Sequence, residues 1–198
     1  MRLRWTTTLH GVTVAGLLLA AGAGRRFGMP KALVHHRGRL FVEIAAEALH
    51  DGGCAPVVVV LGALAEDVRS TAELSGASLV DNPDWAAGMG SSLRVGLAAL
   101  GDGAAAVVVL PVDTPGVTAA AVRRFVAMAA PRALARATYD GVPGHPVLIG
   151  REHWAGVAEL ADGDAGARPY LARHDVAGVP CEDVAGGADV DRPEDLPG

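Results

Sequence analysis

The sequence has little of what marks secreted, membrane-spanning or nucleic-acid-binding proteins. Its two cysteines, Cys54 and Cys181, stand far apart and lack metal-ligand spacing. This argues against a disulfide framework and favours a reducing, cytoplasmic location. No apolar run is long enough to cross a membrane. The formal net charge of -5 argues against a nucleic-acid partner bound through a basic surface.

Lysine is nearly absent as well. Lys31 is the only lysine in the chain, and every other strongly basic side chain is an arginine. A lysine ammonium is a compact point charge on a flexible stem, which suits it to following a phosphate through a reaction. We therefore interpret Lys31 as a functional residue. The alternative is an accident of composition in an arginine-biased chain.

Aromatic residues make up only 4% of the chain, whereas 51% of the residues are hydrophobic, which is typical of a compact α/β protein rich in alanine and valine. With 198 residues, the chain is long enough for one domain with a proper core. We expect a loose tail over residues 1–11 and a single domain over residues 12–198. The basic start and the apolar run behind it imitate a secretory signal, but cleavage there would remove the first predicted strand.

The stretch over residues 14–31 is the most informative part of the sequence. The apolar run from Val14 to Ala21 predicts a strand that is buried on both faces. It leads into a segment with three glycines, whose backbone N–H groups can approach an anion closely because no Cβ stands in the way. Arg26 and Lys31 add positive charge to the same segment. The stretch therefore predicts a phosphate-binding loop.

Two common phosphate-loop motifs fit this stretch poorly. A P-loop requires Gly-Lys-Ser/Thr, whereas Gly28 is followed by Met-Pro-Lys-Ala. The dinucleotide fingerprint requires a spacing one residue shorter than that between Gly24 and Gly28, and an acidic residue after the next strand. That next predicted strand, residues 57–61, is followed by Gly62 rather than a carboxylate. A nicotinamide site is therefore only weakly supported.

A third motif does fit. Residues 19–31 read Leu-Ala-Ala-Gly-x-Gly-x-Arg-Phe-Gly-x-Pro-Lys, which resembles the signature of the molybdenum cofactor nucleotidyltransferase-like family of NTP transferases. The resemblance extends over most of the chain. It includes Asn-Pro-x-Trp-x-x-Gly-Met-x-x-Ser-Leu at 82–93, Gly-His-Pro at 144–146, Gly-Asp-x-Gly-x-Arg at 163–168 and Asp-x-Asp-x-Pro-x-Asp-Leu at 189–196.

The succession of apolar runs and amphipathic segments predicts an α/β fold. Strands are predicted over residues 14–21, 57–61, 78–80, 104–110, 132–138 and 147–149. Helices are predicted over about 40–49, 64–74, 92–100, 118–129 and 152–160, and a further short helix ends near residue 173. His35 and His36 are interpreted as a solvated turn. Alternating strands and helices indicate a parallel sheet with right-handed crossovers. The resemblance implies a three-layer α/β/α sandwich with a Rossmann-like, mostly parallel sheet, of the nucleotide-diphospho-sugar transferase type.

A metal site is predicted around two aspartates. Asp113 follows the strand over residues 104–110, and ligands of open α/β sheets bind at the carboxyl ends of the strands. Its hard oxygen donors suit Mg²⁺ held against triphosphate oxygens. The alternative is that Asp113 caps the helix over 118–129. The resemblance implies that Asp191 joins the metal opposite Asp113; the alternative is an acid-rich helix N-terminus.

A second anion site is predicted near residues 81–93. Ser91 or Ser92 can cap the helix that follows, and a helix N-terminus offers free N–H groups to an anion. The alternative is an ordinary serine-capped helix. The resemblance implies that Asn82 and Ser92 contact the nucleotide. It also implies that His145 recognises the acceptor; without the resemblance, a lone histidine in a loop would indicate no function.

The resemblance implies a cytidylyltransferase. CTP and Mo-molybdopterin would give molybdopterin cytosine dinucleotide and pyrophosphate, with Mg²⁺ as cofactor and Arg26 and Lys31 stabilising the triphosphate and the leaving pyrophosphate. The implied nucleotide contacts are Leu19, Ala20, Ala21, Gly22, Gly24, Arg26, Lys31, Asn82 and Ser92. Ala21 favours CTP, because guanylyl relatives carry glycine there. The resemblance also implies that a client molybdoenzyme, or the chaperone of such an enzyme, could bind the protein as a partner.

Three alternatives stay open from the sequence. The acceptor could be another phosphate compound, such as a sugar phosphate. Some relatives with this signature are described as NAD(P)H-dependent reductases of pigments from nicotine breakdown, although the missing carboxylate after Leu61 counts against a nicotinamide site. A non-catalytic chaperone for molybdoenzymes would keep ligand binding and lose metal-dependent turnover.

Overall fold

The structure is a computed structural model that describes residues 12–196, so the tail expected over residues 1–11 lies outside the described residues. Its strands are, in chain order, β1 Val14–Ala20, β2 His35–His36, β3 Arg39–Leu40, β4 Val57–Leu61, β5 Ser78–Asp81, β6 Ala106–Pro111, β7 Leu134–Tyr139, β8 Val142–Gly150 and β9 Ala177–Pro180. Its helices are α1 Phe41–Asp51, α2 Ala65–Thr71, α3 Met89–Ala99, α4 Ala119–Ala127, α5 Trp154–Leu160 and α6 Arg168–Leu171.

Within the described residues, seven strands form one sheet in the order β5-β4-β1-β6-β8-β7-β9. β8 runs antiparallel to β6 and β7, and the other neighbouring strands are parallel. This confirms the predicted mostly parallel α/β sheet. β2 and β3 form a separate antiparallel hairpin where the sequence predicted only a solvated turn. Each of these strands has two residues, which is too short to show an alternating pattern.

β1 lies in the interior of the sheet and is buried along its whole length. Val14 and Leu18 join the core beneath α1 and α4, whereas Ala15 and Leu17 join the core beneath α3 and α5. Helices therefore cover both faces of the sheet, as the predicted three-layer sandwich requires. Among residues 12–196, none of the helices combines the length and the apolar character needed to cross a bilayer.

The hairpin of β7 and β8 replaces the loop that the sequence predicted before residue 147. Asp140 and Gly141 form its turn with φ of 50° and 80°, so β8 begins at once. The pairing with β7 shifts along β8, which leaves His145 and Pro146 in a bulge. The loop prediction was wrong because glycine, histidine and proline read as loop residues, whereas a bulge accommodates them inside a strand.

α3 begins earlier than predicted. Its N-cap is Gly88, and no side chain accepts a capping hydrogen bond, so neither Ser91 nor Ser92 caps the helix. The Ser91 hydroxyl instead lies 2.9 Å from the carbonyl oxygen of Asp84 and 2.8 Å from that of Gly88. Serine therefore bonds back to the preceding loop, which is a common alternative to capping.

α1 and α4 pack closely where α1 ends at Gly52. A Cβ at this position would lie 2.3 Å from Val122 Cγ1 and 2.4 Å from Val122 Cβ, and valine side chains are stiff at χ1. The backbone at Gly52 has φ of -72°, which any residue adopts. Glycine is therefore needed here for space rather than for conformation.

We predict that Gly52→Ala lowers the free energy of unfolding by about 1–3 kcal/mol, because the new methyl group overpacks the contact with Val122. Urea denaturation of the two proteins checks this. Gly103→Ala is the matched control, since a Cβ at Gly103 meets nothing within 4 Å. An equal effect of both substitutions would contradict the steric explanation.

Candidate active site

Most of the predicted site residues collect in a cleft at the carboxyl ends of β1 and β6. The cleft has a volume of about 570 Å³ and is lined by Leu19, Ala21, Gly22, Gly24, Arg25, Arg26, Lys31, Met89, Ser92, Pro111, Val112, Asp113, Asp164, Arg168 and Asp191. A larger cleft of about 700 Å³ opens at the opposite ends of the strands, near Thr13 and Val57, and contains none of the predicted residues. Open α/β sheets bind ligands outside the carboxyl ends of their strands, so the smaller cleft is the candidate site.

The glycine-rich loop closes tightly on itself. Gly28 N donates to the carbonyl oxygen of Gly24 over 2.9 Å. Gly24 has φ of 59°, and a Cβ there would lie 1.9 Å from the carbonyl oxygen of Met29. Only glycine fits this position, for conformation and for space together. A Cβ at Gly22 would meet no atom within 4 Å, so the loop backbone is open to a ligand there.

A network of ion pairs occupies the cleft. Lys31 Nζ lies 2.7 Å from Asp191 Oδ1 and 3.0 Å from Asp113 Oδ2. Arg26 donates to the other carboxylate oxygen of Asp191 over 2.7 Å. The Lys31 side chain is only 12% exposed, so its pairs are screened less than those of the exposed Arg26. The structure thus brings together the two predicted cations and the two predicted metal ligands.

Backbone contacts explain how such distant residues meet. Asp113 follows β6, which pairs directly with β1, the strand that leads into the loop of Lys31. Val190 N donates to the carbonyl oxygen of Asp113 over 2.8 Å, so the end of the chain lies alongside that segment. The Asp195 carboxylate then accepts from Asp191 N over 3.1 Å, which fixes the turn that carries Asp191.

The Asp113 carboxylate is not the cap of α4. That cap is Thr118, whose hydroxyl accepts from the backbone N–H of Ala121 over 3.3 Å. Asp113 pairs instead with Lys31 inside the cleft. The capping alternative is therefore wrong for Asp113, and its carboxylate faces the space where a ligand would bind.

The charges in the cleft stabilise one another. Burial opposes the charge on Lys31, but the hydrogen bonds and charges of Asp191 and Asp113 outweigh it and raise the pKa of the ammonium. The hydrogen bond and charge of Lys31 lower the pKa of Asp191. Burial, together with the charges of Asp113 and Asp191, raises the pKa of nearby Asp189. At neutral pH Lys31 is therefore a cation and Asp191 an anion.

The oxygen donors of Asp113 and Asp191 are chemically suited to a divalent cation such as Mg²⁺. Among residues 12–196, no group of three or more His, Cys, Asp or Glu side chains is arranged to hold a metal ion. The two carboxylates nevertheless converge on one cation, the ammonium of Lys31. Mg²⁺ is commonly bound through one or two carboxylates together with substrate phosphates and water, so a pair of carboxylates suffices.

Asn82 lies beneath the cleft rather than in its wall. It is 1% exposed, and its Nδ2 donates to Ser91 Oγ over 2.8 Å and to Ser92 Oγ over 3.0 Å. Its Oδ1 accepts from Asp84 N. Asn82 therefore holds the loop after β5 against the first turn of α3, where Ser92 does line the cleft. Ala20 is likewise buried in the core on the α1 and α4 side.

His145 lies near the cleft without lining it. The bulge in β8 is held by Tyr139, whose hydroxyl donates to the carbonyl oxygen of His145 over 2.8 Å. Burial lowers the pKa of His145, and the charge of Arg168 lowers it further, while the charge of Asp113 opposes the change. The imidazole is therefore neutral at neutral pH.

Six residues of the cleft lining were not assigned to the site from the sequence: Arg25, Met89, Pro111, Val112, Asp164 and Arg168. Arg168 donates to the carbonyl oxygens of Ala165 and Asp164, which aligns its guanidinium along the loop before α6. The Gly-Asp-x-Gly-x-Arg segment gave a signal for Arg168 and Asp164. The segment at 82–93 contains Met89, which reaches the cleft because α3 begins at that residue.

We predict that Gly24→Ala lowers the free energy of unfolding by at least about 1 kcal/mol, because the loop must accept both a strained φ and a displaced backbone. Gly28→Ala is the matched control. Gly28 also has a positive φ, 93°, but a Cβ there meets nothing within 4 Å. Urea denaturation should show the larger loss for Gly24→Ala. Equal losses would mean that the contact with Met29 is unimportant.

Comparisons with known proteins agree with this geometry. The model of the MobA-like NTP transferase domain matches residues 16–178. The nicotine blue oxidoreductase of Paenarthrobacter nicotinovorans is 42% identical over 193 residues, covering 92% of this chain and 94% of that protein. The crystal structure of Rv0371c from Mycobacterium tuberculosis H37Rv has a TM-score of 0.80 and 29% identity, covering 93% of this chain and 95% of that one.

A second structure of Rv0371c, in complex with manganese, has a TM-score of 0.74 and 28% identity, covering 85% of this chain and 88% of that one. The family match contains the glycine-rich loop, the first turn of α3 and Asp113, although Asp191 follows it. With that match over most of its length, and with a close full-length relative, the chain belongs to the MobA-like NTP transferase domain family.

Proposed function

We propose that the protein transfers the cytidylyl group of CTP to the phosphate of Mo-molybdopterin, with Mg²⁺ as cofactor. The observation that carries the proposal is the convergence of Lys31, Asp113 and Asp191 beside the glycine-rich loop. This cleft offers cations and open backbone for a triphosphate, and a pair of carboxylates for a divalent cation. Enzymes of phosphoryl transfer combine the same kinds of group, with backbone donors and a cation at the phosphates and carboxylates that hold a metal.

The cationic groups would bind the triphosphate. Arg26 and Lys31 lie on the loop itself, and Met89 and Ser92 of the first turn of α3 line the same cleft, where a helix N-terminus favours an anion. An oxygen of the acceptor phosphate would bond to the α-phosphorus of CTP while the bond to the bridging oxygen breaks. The electron pair then leaves with pyrophosphate, whose charge Arg26 and Lys31 stabilise.

The chain needs no general base for this step, because the acceptor phosphate is already ionised. Asp113 and Asp191 would hold Mg²⁺, which neutralises charge on the phosphates when it is bound. The manganese complex of Rv0371c supports a divalent cation in a related structure. His145, which is neutral and lies in the bulge of β8, would contribute a hydrogen bond on the acceptor side.

The preference for CTP rests on Ala21, which follows β1 directly and belongs to the cleft lining. Guanylyl relatives carry glycine at this position, so the methyl group would reduce the room for a purine. The carbonyl oxygen of Ala21 is already used by the backbone N–H of Ala63, over 3.0 Å. Ala21 is therefore held in place and cannot retreat from a base.

A second candidate function is reduction of a pigment by a nicotinamide cofactor. It is favoured by the 42% identity to a protein named nicotine blue oxidoreductase. The cleft offers no carboxylate for a ribose at the end of β4, where Leu61 is followed by Gly62. We therefore rank it second, and the decisive assay must measure both reactions.

We expect the full-length protein to release pyrophosphate from CTP in the presence of Mg²⁺ and Mo-molybdopterin, faster than from GTP, and to stop when EDTA is added. A parallel assay follows NADPH and NADH oxidation with nicotine blue, for which we expect no turnover. Equal or faster release from GTP would remove the cytidylyl assignment. Oxidation of a nicotinamide without pyrophosphate release would establish the second candidate instead.

We predict that Asp113→Asn lowers Mg²⁺-dependent turnover by about 10²-fold or more, because an amide is a poor ligand for a hard cation and supplies no charge. The melting temperature should change little, since partly exposed ion pairs contribute about 0–1 kcal/mol. Asp81→Asn is the matched control: Asp81 ends β5 and pairs with Arg69 outside the cleft. Normal turnover of Asp113→Asn at limiting Mg²⁺ would contradict the assignment.

A further inference from the structure

The carboxylates assigned to the metal are already engaged by cations of the protein. Lys31 Nζ contacts Asp113 Oδ2 at 3.0 Å and Asp191 Oδ1 at 2.7 Å, and Arg26 contacts Asp191 Oδ2 at 2.7 Å. The Lys31 side chain is buried to nearly nine-tenths, so water does not readily replace it. One ammonium therefore bridges the same pair of oxygens that a divalent cation would use.

The two cations cannot share this position. A divalent cation bound to the pair would stand within a few Å of the ammonium, where the repulsion of like charges is strong because the site is partly buried. We propose that Lys31 is an internal competitor for the divalent cation. In the free protein it holds the carboxylate pair closed, and the pair becomes a metal site only when the triphosphate draws the ammonium away. This inference rests on the proposed function.

The chemistry of lysine allows Lys31 to exchange its carboxylate partners for the triphosphate. Its head group sits on a flexible four-carbon stem and carries three donors without a fixed direction, unlike a guanidinium. The triphosphate would lie on the same loop, so the ammonium can change partners by rotating its side chain while the backbone stays in place. Arg26 is exposed and, within residues 12–196, pairs with Asp191 but not with Asp113, so it does not bridge the two carboxylates.

The first test measures metal binding without any nucleotide. Mn²⁺ is titrated into the full-length protein, and free Mn²⁺ is followed by electron paramagnetic resonance. Lys31→Met should bind Mn²⁺ at least about tenfold more tightly than the parent, as expected when charge-assisted hydrogen bonds no longer compete for the carboxylates. Adding Asp113→Asn to Lys31→Met should abolish the gain.

Arg25→Gln is the matched control for charge alone. Arg25 lines the same cleft on the same loop but pairs with neither carboxylate. Its removal should change Mn²⁺ affinity by less than about threefold, because exposed charges are screened by solvent and salt. An equal gain for Arg25→Gln and Lys31→Met, or no gain for Lys31→Met, would overturn the proposal. Lys31→Gln repeats the measurement if the methionine variant unfolds.

The second test uses the fact that the chain has a single lysine. Labelling lysine with ¹³C at Cε gives one side-chain resonance, which reports Lys31 alone. We expect metal-free CTP, with EDTA present, to shift this resonance, whereas Mg²⁺ alone leaves it in place. A shift produced by Mg²⁺ alone, or none produced by CTP, would overturn the proposal.

Failure of the proposed function would look different from failure of the competition. If the protein binds CTP without turnover, the Mn²⁺ titration and the ¹³C resonance of Lys31 still test the competition. If turnover of CTP is normal but Lys31→Met leaves Mn²⁺ affinity unchanged, the proposed function stands and the competition is wrong.

Discussion

The charge pairing of Lys31 with Asp113 and Asp191 is the interaction on which the rest of the site depends. It joins three segments that are far apart in sequence, and each segment is held by a different part of the fold. The glycine-rich loop positions the ammonium, β6 positions Asp113, and the hydrogen bond from Val190 to Asp113 brings in Asp191. A single, largely buried cation thus connects the centre of the sheet with the segment that carries Asp191.

The sheet makes this pairing possible because β1 and β6 are parallel neighbours. Parallel neighbours bring their carboxyl ends to the same edge, so the loops after both strands open into one cleft. The antiparallel β8 has another effect: it runs back from this edge beside β6, and its bulge places His145 close to the charges of the cleft. The antiparallel strand β8 therefore brings the His145 side chain close to a cleft that is otherwise formed at the ends of the parallel strands β1 and β6.

The sequence predicted those features that depend on local pattern. Three features could be predicted: the apolar run of β1, the glycine-rich loop, and the position of Asp113 after a buried strand. Burial and the need for glycine both leave signals within a few residues of sequence. The structure differs where tertiary contacts decide. Gly144 and Pro146 resembled loop residues although they belong to β8, and Asn82 resembled a ligand contact although it is buried against two serines. The start of α3 at Gly88 carried no capping signal at all.

The central place of β1 has a consequence for how the chain acquires its structure. The two partners of β1, β4 and β6, follow it in the chain by roughly 40 and 90 residues. β1 therefore cannot be paired along both of its edges until β6 has been made, and such long-range pairing is intrinsically slow. Asp191 follows Lys31 by 160 residues, so the ammonium meets this carboxylate only after both neighbours of β1 have been made. The cleft therefore depends on contacts of long sequence separation, which are slow to form.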